Sequence, residues 1–400
     1  MAQPIFIPLE MVANGKPPYP PVLALGFRPF YLLAAAWLVF AMPMWLLIYG
    51  HGLISESHLL GPIWHAHEML WGFTSAVIVG FLFTAVSNWT NRPTPRGWPL
   101  LFIASLWLAA RILLLTPWSE IGALVETLFF VAAAIGIAQP LFRSGNRRNY
   151  FFVGLLLIFA LLSAAHHYSL LTDVVWFTAR QIEFLMLTVV LLIITVITGR
   201  IMPMFTANAI QGAPVHKRSW LDRSAVVATL AMGLSLIFLP ETISKWIAVA
   251  AALIHLFRWW GWAPHWTLRK PIVWILHGSY LWMPIGFLLY AIPGSWSPMA
   301  SLLATHALTV GLIAGLCIGM MTRTARGHTG RPLQASKAEV TAYILTMAAA
   351  MIRVLLPMIW PEWYRLLTSL SGLLLTIAFA IYLVKFFPWL MQPRADRKPG

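Results

Sequence analysis

Apolar runs of roughly twenty residues follow one another along almost the whole chain, and that repetition constrains the fold more than any other feature. A helix needs about 20 mostly apolar residues to cross the hydrocarbon core of a bilayer. Runs of this length recur near residues 27–49, 66–88, 98–116, 119–140, 150–171, 176–200, 222–240, 243–260, 271–291, 298–321, 338–359 and 363–388. They predict an all-α, polytopic membrane helix bundle of about twelve transmembrane helices. The connections are short, and Pro or Gly marks many of them, as at Pro93 and Pro95, Gly145, Gly212 and Pro214, Pro293, and Gly330 and Pro332. None can fold as a separate soluble domain. The expected organisation is a cytoplasmic N-terminal segment (1–26), one transmembrane domain (27–388) and a cytoplasmic tail (389–400).

Composition agrees. Of the 400 residues, 60% are hydrophobic and 10% charged, whereas a soluble domain carries about 25% charged residues. A cytosolic enzyme, a secreted disulfide scaffold and a disordered chain are excluded. The formal charge of +15 would point to nucleic acid in a soluble protein. Here the basic residues lie in short loops between apolar runs, so they read as topology signals and contacts to the lipid bilayer, with no nucleic acid. With the N-terminus inside, all of the 27 Lys and Arg except Arg111, Arg180, Lys245, Arg353 and Arg365 fall on the inner side. Both termini are therefore expected in the cytoplasm. The single cysteine, Cys317, excludes an internal disulfide and any CxxC pair.

The 12 histidines are the informative residues. Ionisable groups within a bilayer are costly and usually face the bundle interior or a cavity, and imidazole is a common metal and haem ligand. His65 and His67 flank the start of the second span, beside Glu68. At i, i+2 they point the same way only in an extended segment, and on a helix they diverge by about 200°. Either they chelate one ion together, or one faces the bundle and the other elsewhere. Glu68 is placed to orient an imidazole or to pair with Arg180. His166 and His167 close the fifth span, and an interfacial pair explains them as well as a ligand pair. His306 is the sharpest single candidate, since Cys317 is the only other ionisable group of its span. At 100° per residue Cys317 lies on the His306 stripe, with Met320 close by. Gly311, Gly315 and Gly319 would let a neighbouring helix or a flat cofactor approach.

Arg180 and Glu183, one turn apart, can pair. A structural salt bridge is the plain account of Glu126, Arg111 and Arg353. On the inner side a basic loop carries Arg323, His328 and Arg331, and His277 lies in the ninth span. Such a set could hold haem propionates or another anion, although positive-inside loop chemistry explains it nearly as well. No Walker A, GxGxxG, CxxCH or HExxH motif occurs, which removes ATP-driven pumping by this chain, c-type haem and zincin proteolysis.

Several segments together resemble the NnrS family: Ala24 to Phe30, Trp64 to Met69 with Asn88-Trp89-Thr90, Gly199-Arg200 with Pro203, Phe205 and Thr206, Leu276 to Tyr280, His306 to Thr309, and Arg323 to Pro332. The resemblance implies a twelve-helix protein of the bacterial inner membrane containing haem b and copper, associated with denitrification and resistance to nitric oxide and nitrosative stress. It marks His65, His67, Glu68, His277, His306 and His328 as candidate ligands. The expectation is haem held by His306 and one of His65 or His67 near the outer face, with Arg323, His328, Arg331 and His277 as further haem contacts. Copper would take the remaining outer imidazoles, such as His166 or His167, with Glu68, Cys317 and Met320 as further donors. Nitric oxide, small and apolar, would arrive through the bilayer; an enzyme of this kind would be a redox enzyme acting on it. A transporter or copper-handling permease, and a structural partner in a respiratory complex, are the alternatives.

Overall fold

The computed structural model describes residues 19–51, 57–172, 176–292 and 298–396. Lys16, Pro293, Arg397, Lys398 and the side chain of His51 fall outside the described residues, as does most of segment 1–26. Among the described residues all regular structure is helical. The long helices are α1 (Phe27–His51), α2 (Gly61–Thr90), α3 (Trp98–Leu113), α4 (Ser119–Ser144), α5 (Phe151–Leu171) and α6 (Ala179–Ala209). They continue as α7 (Ser219–Phe238), α8 (Glu241–Trp260), α9 (Pro271–Ala291), α10 (Met299–His328), α11 (Lys337–Ile359) and α12 (Tyr364–Met391).

Ten of these are long and apolar enough to cross a membrane, which makes the chain a multi-pass membrane protein. The two that fall short are α3 and α8. Helix α3 is apolar but has only 16 residues, ending before Thr116-Pro117. Helix α8 has 20 residues, yet Glu241, Lys245, His255 and Arg258 make it too polar.

Short connections force helices adjacent in sequence to pack side by side. Helix α4 packs on α3 and α5, α7 on α6 and α8, α9 on α8 and α10, and α11 on α10 and α12. Helix α12 then returns to lie against α1 and closes the bundle. Buried Arg28 of α1 fastens this closure, its Nη1 donating to the carbonyls of Leu390 (3.0 Å) and Gln392 (2.8 Å). Beside it the Ala395 amide donates to the Thr329 carbonyl at 2.9 Å. Gly330 turns the chain there at φ +75°, a left-handed conformation that suits glycine, and any Cβ would strike Asp396 at 2.5 Å. The middle of the bundle is α2: 89% of its apolar stretch is buried, against 44% for α1, α4 and α5.

Three boundaries move functional residues. Helix α2 begins at Gly61, so His65 is helical rather than extended. Helix α6 runs on through Pro203 to Ala209, so Gly199 and Arg200 lie inside it. Helix α10 continues to His328, which makes most of the expected basic loop its last two turns. Two helices also contain a π-helical segment: Glu68–Thr74 in α2 and Ala307–Ala314 in α10. Each starts immediately after a histidine, His67 in one and His306 in the other. Such segments hold an extra residue per turn and recur at functional sites.

Candidate metal centre in the bundle

The widened turn in α2 presents His67 and Glu68 together. Glu68 Oε1 lies 3.0 Å from His67 Nδ1, and the other ring nitrogen, Nε2, lies 3.0 Å from Glu126 Oε2 of α4. Arg111, on the last turn of α3, bridges the two carboxylates, reaching Glu68 Oε2 at 2.8 Å and also pairing with Glu126. Helix α5 adds Ser163, whose hydroxyl donates to Glu126 Oε2 at 2.7 Å, and His167, whose Nε2 is 3.1 Å from the same oxygen. Ser163 and His167 lie four residues apart on α5, one turn, and so reach the same oxygen. His67, Glu68, Arg111, Glu126, Ser163, His166 and His167 are all buried.

The imidazoles of His67, His166 and His167 converge, one nitrogen from each lying within 4.8 Å of the others. The His67 and His166 rings stack at 5.3 Å, with the Trp71 indole stacked on His67 at 5.2 Å. His166 Nε2 faces Glu183 of α6 at 3.3 Å, while its Nδ1 is buried without a hydrogen-bond partner. Outside the cluster His58 continues the chain of contacts: Nε2 is 2.8 Å from His167 Nδ1, and Nδ1 is 2.9 Å from Ser119 Oγ. Burial, reinforced by the His67 and His166 imidazoles, lowers the His58 pKa to about 4, so at neutral pH it is an uncharged link.

Charge counting shows what this arrangement favours. Glu68 and Glu126 face one guanidinium, Arg111, which leaves a surplus negative charge in a buried site. Buried charges persist only when paired. A cation among the three imidazoles, either a metal ion or bound protons, supplies the compensation. Three imidazoles with flanking carboxylates suit copper, zinc or iron. The carboxylates also act as orienting groups on the ligand rings.

His65 is elsewhere, as helical divergence requires. It stacks on Trp45 of α1 at 4.7 Å and 15°, with Nδ1 buried and unpartnered. His306 of α10 and Arg353 of α11 are its electrostatic neighbours. His306 Nδ1 faces the Leu302 carbonyl at 2.7 Å. Only a donor can bond a carbonyl oxygen, so Nδ1 carries the proton and Nε2 keeps a free lone pair. Arg353 itself donates from Nη2 to the Tyr364 hydroxyl at 2.7 Å.

The remaining candidates lie apart from both groups. Cys317 and Met320 follow the π segment on α10. Eleven residues carry Cys317 roughly 16 Å along the axis from His306, and the extra residue in the widened turns upsets the 100° register that aligned them. Cys317 is buried beside Tyr31. Gly311, Gly315 and Gly319 admit helix α9: a Cβ on Gly311 would meet Trp282 at 2.3 Å, and one on Gly315 would meet Ser279 at 2.3 Å. His277 Nε2 is 2.8 Å from Thr206 Oγ1. At the α1–α12 closure, His328 lies against Phe27 at 5.5 Å and Arg331 covers the Trp389 ring at 4.2 Å. Arg323 covers Phe205 at 3.7 Å.

Of the two roles expected for Glu68, it contacts an imidazole, that of His67, and takes Arg111 rather than Arg180 as its cation. Glu183 takes His166 rather than Arg180, whose guanidinium sits over Phe184. Glu126, read from sequence as half of a plain salt bridge, is the hub of the cluster. His58 and Ser163 were not singled out as site residues. Their signal was present only as polar residues at the same ends of neighbouring spans.

Among the described residues, ten helices long and apolar enough to cross a membrane and a buried cluster of imidazoles and carboxylates define a polytopic membrane protein built around a candidate metal centre. The chain belongs to the NnrS family, described as NnrS protein, which it matches over residues 21–394. Membership of that family connects it to nitric oxide. No curated protein matches the chain.

Proposed function

We propose that this protein is a haem- and copper-bearing membrane protein of the bacterial inner membrane that acts on nitric oxide or limits its damage. The observation that carries the reading is the convergence of His67, His166 and His167 in a buried site with a surplus of carboxylate charge. In this reading copper would be held by His166, His167 and one nitrogen of His67, replacing the proton that this nitrogen shares with a carboxylate, while the other carboxylate orients the ring. His306 Nε2 and His65 would hold haem b. The proton on His306 Nδ1, fixed by the Leu302 carbonyl, leaves Nε2 as the nitrogen that would hold the iron. The unpartnered Nδ1 atoms of His65 and His166 fit residues awaiting a ligand.

Haem and copper bound there would supply one-electron chemistry at nitric oxide. The chain's own residues do the rest. Arg111 locks Glu68 and Glu126 in place, Trp71 walls the His67 ring, and the surrounding helices exclude water while an apolar gas can enter from the bilayer.

The test is a reduced-minus-oxidised spectrum with metal analysis on detergent-purified protein and three variants. Wild type should show a b-type haem signal that shifts with nitric oxide, together with copper. His306→Ala should lose haem and keep copper, His166→Ala should lose copper and keep haem, and His216→Ala should keep both. A colourless, metal-free wild type that takes up neither group would overturn the proposal and turn attention to transport.

A further inference from the structure

A second polar site lies away from the histidine cluster, where α6, α7 and α8 meet. A groove of about 420 Å³ opens there between α6 and α7. Its polar lining consists of Arg148, Arg200, Lys217, Arg223 and Arg258 against one carboxylate, Asp222. These residues come from four separate parts of the chain: the α4–α5 turn, the interior of α6, the start of α7 with the loop before it, and the end of α8. Positive loops on one face explain basic residues in general. They do not explain convergence on one cavity.

The floor is rigid. Arg258 is buried, its Nε donating to Asp222 Oδ1 at 2.9 Å, Nη1 to the Tyr280 hydroxyl at 2.9 Å and Nη2 to the Thr195 carbonyl at 2.8 Å. It crosses α6 at Gly199, where a Cβ would lie 2.0 Å from Nη2. The single carboxylate of the groove is thus already taken. Arg200 is held by Asn149 Oδ1 at 2.6 Å, close enough to Arg148 for the two charges to repel. Among the described residues no ion pair joins Arg148, Arg200, Lys217 or Arg223 to an acid.

We infer that this groove binds a phosphate-bearing anion, and that its walls favour the headgroup of an acidic phospholipid. Arginine and lysine around a cleft match phosphate oxygens, and basic pockets between helices on the cytoplasmic side suit anionic lipid heads. The walls are apolar: Val196, Val226 and Val227. From Val227, Leu230 and Leu234 continue outward on one exposed face of α7 at helical spacing, a track for an acyl chain. Free phosphate would use the same cations without that track. The inference is independent of whether the histidine cluster holds a metal.

The test is native mass spectrometry of delipidated full-length protein, titrated separately with cardiolipin, phosphatidylglycerol, phosphatidylcholine and inorganic phosphate. The variants are Lys217→Gln with Arg223→Gln, both exposed, and the control pair Arg143→Gln with Arg147→Gln, exposed but outside the groove. Each basic contact to an anionic surface is worth about fivefold in affinity. The acidic lipids should bind wild type tightly and the groove double variant at least tenfold more weakly, with the control pair changed less than twofold. Binding of inorganic phosphate with the same dependence on the variants, and no preference for lipid, assigns the site to free anion. Equal binding of phosphatidylcholine and phosphatidylglycerol, or wild-type lipid affinity in the groove variant, overturns the inference.

Discussion

The widened turns of α2 and α10 begin the same way, a histidine followed five residues later by glycine, and they end in opposite environments. His67 has a carboxylate at each ring nitrogen, a guanidinium behind those carboxylates and two further imidazoles within reach. His306 has one backbone carbonyl, with His65 and Arg353 as its charged or ionisable neighbours. The first is a site fixed by its own polar partners and in need of a cation. The second is held by backbone alone and leaves one nitrogen free. The same local irregularity thus delivers a rigid multidentate centre in one helix and a single ligand in the other, and the neighbouring helices decide which.

That contrast can be broken most sharply at the arginines. Arg111→Met should cost about 3–5 kcal/mol, because it strands two buried carboxylates. Arg353→Met removes a guanidinium that donates to the Tyr364 hydroxyl and faces no carboxylate among the described residues, and should cost about 2 kcal/mol or less. Thermal melts of the two purified variants decide it, and equal losses would mean that the α2 site is no more charge-locked than the other. A smaller effect separates the glycines. Gly311→Ala drives a methyl into the Trp282 ring, an overpacking of about 1–3 kcal/mol. Gly72→Ala meets the tips of Glu68, Trp37 and Arg111 at 2.9–3.1 Å, so it should disturb metal content more than melting temperature. The reverse ranking in paired melts and metal assays would show the α2 network to be soft. The smallest effect is expected at the end of the histidine chain. Ser119→Ala removes one hydrogen bond to His58, about 1 kcal/mol, and should leave metal content unchanged. Metal loss in that variant would extend the centre out to His58.

Much of the fold was readable as apolar runs, because the bilayer imposes a length on each helix. Helices α3 and α8 show the limit, since one is short and the other polar, yet both occupy the expected places. The divergence of His65 and His67 was equally readable from helical geometry once their segment was known to be helical. The hub role of Glu126 was not, because it depends on α2, α3, α4 and α5 meeting around one point. Periodicity within a helix says which face is buried and nothing about which partner buries it. The π segments were also hidden, since an extra residue per turn is stabilised by tertiary neighbours rather than by local propensity.

Arg28 carries a consequence for biogenesis. Its carbonyl partner on Leu390 lies 362 residues further along the chain, so α1 leaves the ribosome long before the Leu390 and Gln392 carbonyls exist. Until α12 is made, those two hydrogen bonds cannot form, and the seam between first and last helices stays open. Ring closure is therefore a late, post-insertion event, and such distant contacts are slow to form. Nascent chains halted before residue 390 should be cut by protease in α1 as readily as an Arg28→Ala full-length chain; equal protection of halted and complete wild-type chains would place closure earlier.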